Sequence, residues 1–495
     1  MLQQLADADT RQDILSQKKK WVEPAIGFIE LVKANVLPPD VIFEQLDLPA
    51  KCKIFIPLFE QFEQWRKTHR RISYDDMLYE PVQVFMRNPA VAEKFGGHMQ
   101  WILVDEYQDI NAIQQKLLDF LYAGRGNVMV IGDPDQTIYE FRGSRPEFIV
   151  SEFDRKMQQV TLYTLPHTFR YGDSLSLLAN HLISHNQERE EILCLSHPST
   201  PNTSIRYHSV KHESREILAL VKQEAQRRSY DDIAIINRIW ALCAPIELAF
   251  LQEAIPYQMY GSTSVLERNE LKVFWILFEI AAGVFMQYDE SQRKELWLRY
   301  LTTPYPKIKH DQLVLIAGQL ATVQSDFGVA LQQLIPDELS KWQKEKLEVK
   351  ASLLSDAEHI KTTAYRLVDN FIEQTDLFDD IVDNSFSAQQ ADDQIQTITA
   401  FASFIRDSQQ RSDAAYSFLQ ELKIKSRNQQ RRKGVHLISV HKSKGLEWPV
   451  VIVPGLNAHY YPYSPEIEFS VPASEESERR LLYVAMTRAM QQLHL

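Results

Sequence analysis

The sequence predicts an α/β protein in which parallel sheets are split by long helical stretches. Two observations carry this. From Trp101 onward, short apolar runs that stop on polar residues alternate with helix-like segments: WILVD, then QQKLLDFLYAG, then NVMVIGD. Strands that alternate with helices pack as a parallel sheet with helices on its faces. Between roughly Val265 and Gln430 the strand signal gives way to Gln-, Leu- and Asp-rich helical periodicity, and strand-like VHLISV (435–440) and PVVIVPG (449–455) follow it. That order describes a helical insertion dividing a second α/β unit. At 495 residues the chain also exceeds what one core serves, at about 100–200 residues per domain.

The elements can be justified in order. Residues 1 to about 95 carry apolar positions at helical spacing in KKKWVEPAIGFIELVKANV and FIPLFEQFEQW, with expected breaks at Pro38-Pro39 and Pro57. DIAII (232–236) is a further strand. Val273 to Met286 is the most apolar long run; it contains Glu279 and falls short of the ~20 residues that cross a bilayer, so a buried helix is expected. The formal charge of −12 excludes a global positive field. Any polyanion would meet local patches such as Lys18-Lys19-Lys20, Arg66-Lys67 with Arg70-Arg71, and Lys423 to Lys433, each of which can equally be a solvated face. The three cysteines, Cys52, Cys194 and Cys243, lack metal-ligand spacing, and the N-terminus lacks an apolar signal core. A reducing, cytoplasmic setting without membrane association is expected.

Ligands of open parallel sheets bind beyond the carboxyl ends of strands. Asp105 and Glu106 stand at such an end. One carboxylate suits Mg²⁺ and the other can orient and deprotonate an attacking water, although a solvated strand end is the alternative. Gly132-Asp133-Pro134-Asp135-Gln136 follows NVMVI, so Gln136 tips a turn where an amide can sense a phosphate oxygen. Tyr139, Phe141 and Arg142 come next, aromatics beside a cation, as base stacking on a single strand requires; packing at a sheet edge would use them too. Arg488 falls at the rim of an apolar helix face formed by Leu481, Leu482, Ala485, Met486 and Ala489, and Glu475, Glu476 and Glu478 complement that helix's dipole. His441-Lys442-Ser443-Lys444-Gly445 lies between two strands and offers cations and a hydroxyl to a phosphodiester, while Glu447 can accept from a ribose hydroxyl.

DEYQD, GDPDQTIYEFRG, the Phe169-Arg170 pair in LPHTFRYGDSLSLLAN, HKSKGLEW and ERRLLYVAMTRA, in this order, resemble the motor motifs of UvrD/Rep-type superfamily 1 DNA helicases. YDDML (74–78) resembles the motif preceding DEYQD, and Tyr260-Gly261 with Glu267-Arg268 resembles the start of the family's second insertion. The resemblance implies two RecA-like parallel-sheet cores, the first incomplete, with helical insertion domains. Its boundaries fall at 1–95 (first insertion and approach to core one), 96–145 (end of core one), 146–265 (second core, first part), 266–430 (second insertion) and 431–495 (second core, second part). It implies ATP and Mg²⁺ as cofactors, with Asp105 and Glu106 at the metal and Gln136, Arg170, Glu447 and Arg488 at the nucleotide. Tyr139, Phe141, Arg142, Tyr260, His441, Lys442, Ser443 and Lys444 would meet DNA.

One element of that pattern is missing. No glycine of the sequence begins G-x-x-x-x-G-K-[ST], whose backbone N–H groups and Lys cradle phosphates. The resemblance therefore implies a 3′–5′ helicase or translocase of replication or repair, acting on single-stranded DNA and single/double-strand junctions, without about 200 residues of a typical N-terminal portion. Three explanations follow: a fragment, a chain completed by a protein partner that brings the loop, or a DNA-binding relative without turnover.

Overall fold

The computed structural model describes residues 1–5, 14, 18–46, 48–157, 159–211, 213–260, 263–359, 361–385, 388–429, 433–463 and 474–495. They form two compact units, one of Met1–His208 with Ser439–Leu495, the other of Ser209–Ile438.

The N-terminal spacing resolves into helices α1 (Lys18–Asn35), α2 (Phe55–Thr68) and α3 (Asp76–Arg87). Trp21, Phe28, Val32, Phe55 and Leu58 share one core. Pro57 does not break α2: it falls in the first turn, where an N–H has no intrahelical acceptor to lose. Lys33 and Arg66 hold this layer by pairing with Glu63 and Asp76. Strand β1 (Trp101–Val104) then runs parallel to β2 (Asn127–Val130), with Trp101 opposite Asn127 and Val104 opposite Val130. Their crossover is α4 (Ala112–Tyr122), started by a capping box in which Asn111 and Gln114 exchange hydrogen bonds. Next come β3 (His167–Thr168), α5 (Asp173–Ile183), β4 (Leu195–Ser196) and β5 (Ser204–Arg206), with β3 parallel to β4.

The second unit opens with α6 (Glu213–Glu224), the fully buried strand β6 (Ile233–Asn237), α7 (Cys243–Gln252) and β7 (Tyr257–Met259). The expected buried helix is α8 (Lys272–Ala281), in which Val273–Ile280 are all buried. Helices α9 (Glu290–Thr302), α10 (His310–Thr322), α11 (Lys341–His359), α12 (Ala364–Thr375), α13 (Ala388–Ser408) and α14 (Ser412–Gln429), with shorter helices at Phe327–Gln333 and Leu377–Asn384, continue the helical stretch. Strand β8 (Val435–Ser439) returns beside β7 in parallel register, Tyr257 opposite Val435. The parallel sheets and the helical stretch between β7 and β8 are the α/β organisation expected.

The chain then re-enters the first unit. Strand β9 (Trp448–Ile452), helix α15 (Glu475–Met486) and strand β10 (Ala489–His494) follow, with β10 parallel to both β5 and β9. Here the helical wheel read from sequence runs too far. Helix α15 ends at Met486, and Ala489 already belongs to β10, so Arg488 lies in the tight passage between helix and strand rather than on the helix rim. Among the described residues no helix is long and apolar enough to cross a membrane.

Candidate nucleotide and nucleic-acid site

Strand β1 buries Ile102 and Val104 against Leu118, Phe148 and Phe153. Its carboxyl end thereby delivers Asp105 and Glu106 to solvent. Glu106 has φ +52°, a left-handed conformation that side chains disfavour and that functional sites often hold. Its N–H donates to Asp105 Oδ1 at 2.9 Å, and the chain turns into buried Tyr107 and Gln108. Gln108 ties two motifs together: its Nε2 donates to Glu106 Oε2 at 2.6 Å, and its Oε1 accepts from Asp133 N–H at 3.0 Å. That approach needs glycine at 132, because a Cβ there would stand 2.4 Å from Gln108 Oε1.

The turn after β2 is one 3-10 turn, Pro134–Gln136, capped by Asp133. Gln136 Nε2 donates to Asp133 Oδ2 at 2.7 Å, while Gln136 Oε1 accepts from Arg488 Nη2 at 3.0 Å. Burial, and then the neighbouring Asp135, push the Asp133 carboxyl above its ordinary value. Arg488 is 1% exposed; its Nε donates to Val484 O at 3.0 Å. Burial, then repulsion by Arg170, bring its guanidinium down to about 10. Arg170 donates from Nε to Glu447 Oε2 at 2.5 Å and from Nη1 to Thr487 O at 3.2 Å. Gln136, Arg170, Glu447 and Arg488 therefore converge, although they are scattered over three hundred positions of sequence.

The loop after β8 differs from its sequence reading. Val440–Ser443 is a short helical turn, and Gly445 follows at φ +78°. Ser443 is buried, with its hydroxyl on Val440 O. Lys444 Nζ lies 2.6 Å from Asp109 Oδ2, 2.9 Å from Gln136 O and 3.5 Å from Glu106 Oε2, and its side chain is 9% exposed. In this geometry neither Ser443 nor Lys444 presents its polar group to a phosphodiester. Lys442 is exposed. Tyr139 donates to His441 O at 3.2 Å, and the His441 ring lies 5.5 Å from that of Phe141, which is 62% exposed. Arg142 lies over both Tyr139 and Phe141, at 5.8 and 5.4 Å from their centroids. These residues make an aromatic and cationic face beside the carboxylates.

Tyr260 belongs to the second unit, where its hydroxyl meets His436 Nδ1 at 2.9 Å and the two rings stack; Gly261 lies outside the described residues. Of the basic stretch 423–433, Arg427 pairs with Glu267 at 2.7 Å and Lys425 with Glu421 at 2.8 Å, while residues 430–432 lie outside the described residues, as do the side chains of Lys18, Lys19 and Lys20.

Sequence reasoning missed Gln108, Arg189 and Arg480. Arg189 forms a two-pronged pair with buried Asp135, at 3.1 and 2.8 Å. Arg480, 1% exposed, donates to Glu140 Oε1 at 2.7 Å and to Glu188 O at 2.9 Å. Both brace the segment that carries Gln136. Gln108 could have been singled out as the amide inside DEYQD; Arg189, in HNQERE, has no local signal.

The donor set can be weighed against a cation and a nucleotide. Asp105 and Glu106 offer exposed carboxylate oxygens, which suits a hard ion that keeps several waters. Arg170, Arg488 and Gln136 suit a terminal phosphate, whereas a cradle for the inner phosphates is not encoded in the sequence. Another acidic group, Glu63, Asp76 and Glu80, already faces Lys33, Arg66 and Lys67, so its charge is balanced from within.

Comparison with known proteins places the chain in a family. Residues 2–158 match the UvrD/REP helicase N-terminal domain and residues 163–495 the UvrD-like helicase C-terminal domain. Similar relatives include the ATP-dependent DNA helicase PcrA of Staphylococcus aureus (strain Mu50 / ATCC 700699), 24% identical over 98% of this chain and 66% of the relative. PcrA of Staphylococcus epidermidis (strain ATCC 12228 / FDA PCI 1200) is likewise 24% identical, over 98% of this chain and 67% of the relative. The chain thus spans about two thirds of the length of these curated relatives, and it belongs to the UvrD-like helicase family.

Proposed function

We propose that this chain is the motor of an ATP-dependent DNA helicase or translocase that moves 3′ to 5′ on single-stranded DNA and at single/double-strand junctions, in cytoplasmic replication or repair. The observation that carries the reading is the 3.0 Å contact between Gln136 and Arg488, with Arg170 anchored on the adjacent Thr487 carbonyl. An amide and two guanidiniums that converge beside a pair of exposed carboxylates suit a transferring phosphoryl group, whose charge they would share. In this reading Glu106 accepts the proton of the attacking water and Asp105 takes the metal. Mg²⁺ bound there would offset phosphate charge. Glu447 holds Arg170, and a bound terminal phosphate would compete with it for the guanidinium. Tyr139, Phe141, Arg142, His441 and Lys442 meet the strand by stacking and charge, and Lys444 and Ser443 are positioning groups. Tyr260 remains a proposed strand contact, and the five-part division at 95, 145, 265 and 430 remains part of the proposal.

DNA binding without turnover is the second reading. Hydrolysis of ATP with and without single-stranded DNA, in the chain and in its Glu106→Gln variant, tests the first. DNA-stimulated turnover that the substitution lowers at least about a hundredfold supports it. Strand binding with no nucleotide bound at millimolar ATP supports the second and sinks the first.

A further inference from the structure

The fold divides one basic run of the sequence, Arg66-Lys67 with Arg70-Arg71. Arg66 is 4% exposed and, with Lys33 and Lys67, faces the acids of its layer, Glu63, Asp76 and Glu80. Arg70 and Arg71 are exposed and have no acidic partner among the described residues. The way α2 stops sets their place. The N–H of Arg70 donates to Lys67 O at 3.2 Å and that of Arg71 to Arg66 O at 2.8 Å, the pair of bonds that closes a helix through one left-handed residue. Glycine usually fills that position; here it is Arg70, at φ +51°.

Along the same helix three rings stack at positions i, i+3 and i+7. Phe62 and Trp65 lie 6.4 Å apart at 23°, and Trp65 and His69 4.6 Å apart at 28°. His69 Nδ1 donates to the Trp65 carbonyl at 2.8 Å, which fixes the last ring of the column. Buried Lys33 stands 5.3 Å from the centre of Phe62, so one end of the column is seated on the interior. At the other end Trp65 is 42% exposed, and His69 is exposed next to the two arginines. A column of π faces that ends in solvent beside unpaired cations matches an unpaired base with its phosphate. A duplex keeps its base faces stacked inside, and an acidic peptide would use the cations but not the rings. Helix α1 also borders the strand face described above: Ala34, which follows Lys33, stands 3.5 Å from where a Cβ on Gly143 would lie.

We propose that Phe62, Trp65 and His69, with Arg70 and Arg71, form a second docking surface for single-stranded DNA, on which a base continues the column at its exposed end and the arginines take the phosphates. This surface goes beyond the face of Tyr139, Phe141 and Arg142, and it rests on the reading of the chain as a DNA-binding protein.

Binding of a fluorescent oligothymidylate of about 16 nucleotides to the full chain, followed by anisotropy, is the test. Trp65→Leu, which stays apolar but loses the ring, should weaken binding at least about fivefold, and Trp65→Phe less than about twofold. Arg70→Gln with Arg71→Gln should flatten the dependence of log affinity on log salt by about 0.7 for each phosphate no longer met. Trp342, 44% exposed on α11 and flanked by Lys307 and Lys346, is the control, and Trp342→Leu should leave binding unchanged. Should Trp65→Leu fail to fold, ultraviolet crosslinking of the unaltered chain decides: thymine should join the peptide that holds Trp65 and His69, and not the one that holds Trp342. Equal effects at 65 and 342, an equal loss on duplex DNA, or a Trp65→Leu chain indistinguishable from its parent would each overturn the proposal. If Phe141→Ala weakens binding and Trp65→Leu does not, the column falls and the reading of the strand face stands; the opposite pattern spares the column and removes that face. A chain that binds no strand overturns both.

Discussion

Glu279 sits midway along α8 among residues that are all buried. One of its oxygens accepts from the Tyr288 hydroxyl at 2.9 Å, and the other, Oε2, is buried without a hydrogen-bond partner among the described residues. Burial pushes the carboxyl from 4.5 up to about 7, against the opposing pull of the Tyr288 hydrogen bond and the Lys423 charge. At about 1.4 kcal/mol per pH unit, that rise corresponds to about 3 kcal/mol between the folded and unfolded chain. The sign follows from proton uptake. Between the two pKa values the folded chain keeps a proton that the unfolded chain releases, so stability is full below about pH 4.5 and drains away as pH climbs through about 7. Above that the folded chain carries a constant penalty. Glu279→Gln retains the shape and the acceptor for Tyr288 but cannot ionise. It should leave stability near about pH 5 almost unchanged and raise it by about 2–3 kcal/mol at about pH 8. Urea unfolding of both proteins, followed by helical circular dichroism across that range, measures the difference. Two pH profiles that run parallel would show that Glu279 does not titrate with folding, and the reasoning would fail.

Gly132→Ala should cost about 1–3 kcal/mol, because its Cβ would press on Gln108 Oε1 and break the bond to Asp133; an unchanged thermal midpoint would show that Gln108 does not need that approach. Arg189→Met should cost about 3 kcal/mol by leaving buried Asp135 unpaired, and Asp135→Asn in the same chain should recover most of it. A double-mutant cycle in urea reads that coupling, and additive costs would mean that the pair does not brace the Gln136 turn.

What the sequence revealed and what it hid follow the range of the forces involved. Strands β1 and β2 and helix α8 were legible because their apolar runs reflect burial, a property each residue carries locally. The carboxylates at 105 and 106 and the turn at Gln136 were legible as strand ends. The end of α15 was misplaced because Ala489 continues the helical wheel while its backbone pairs in β10, and only strand neighbours distant in sequence decide between the two. Pro57 misled for the opposite reason: a proline is tolerated or not according to its place in the first turn, which the residue type does not state. The burial of Lys444 was hidden because a lysine in a loop is usually solvated. Its partner Asp109 lies 335 positions away, and no local pattern announces an ion pair of that separation. Arg189 and Arg480 were invisible on the same ground.

The ammonium of Lys444 is bound at once to the acidic turn that follows Glu106 and to the carbonyl of Gln136, while His441 and Lys442, on the same short turn, adjoin the aromatic face. On the proposed function, one charge would belong to two binding equilibria. Thermodynamic reciprocity then fixes what it can do: whatever factor a polynucleotide applies to the affinity for an anion at Gln136, the anion must apply to the polynucleotide. Because the shared charge is almost out of reach of solvent, added salt will weaken the strand's own contacts far more than this factor. Coupling that survives at ionic strengths where DNA is barely held would be the signature of a shared ion rather than of a moving lever.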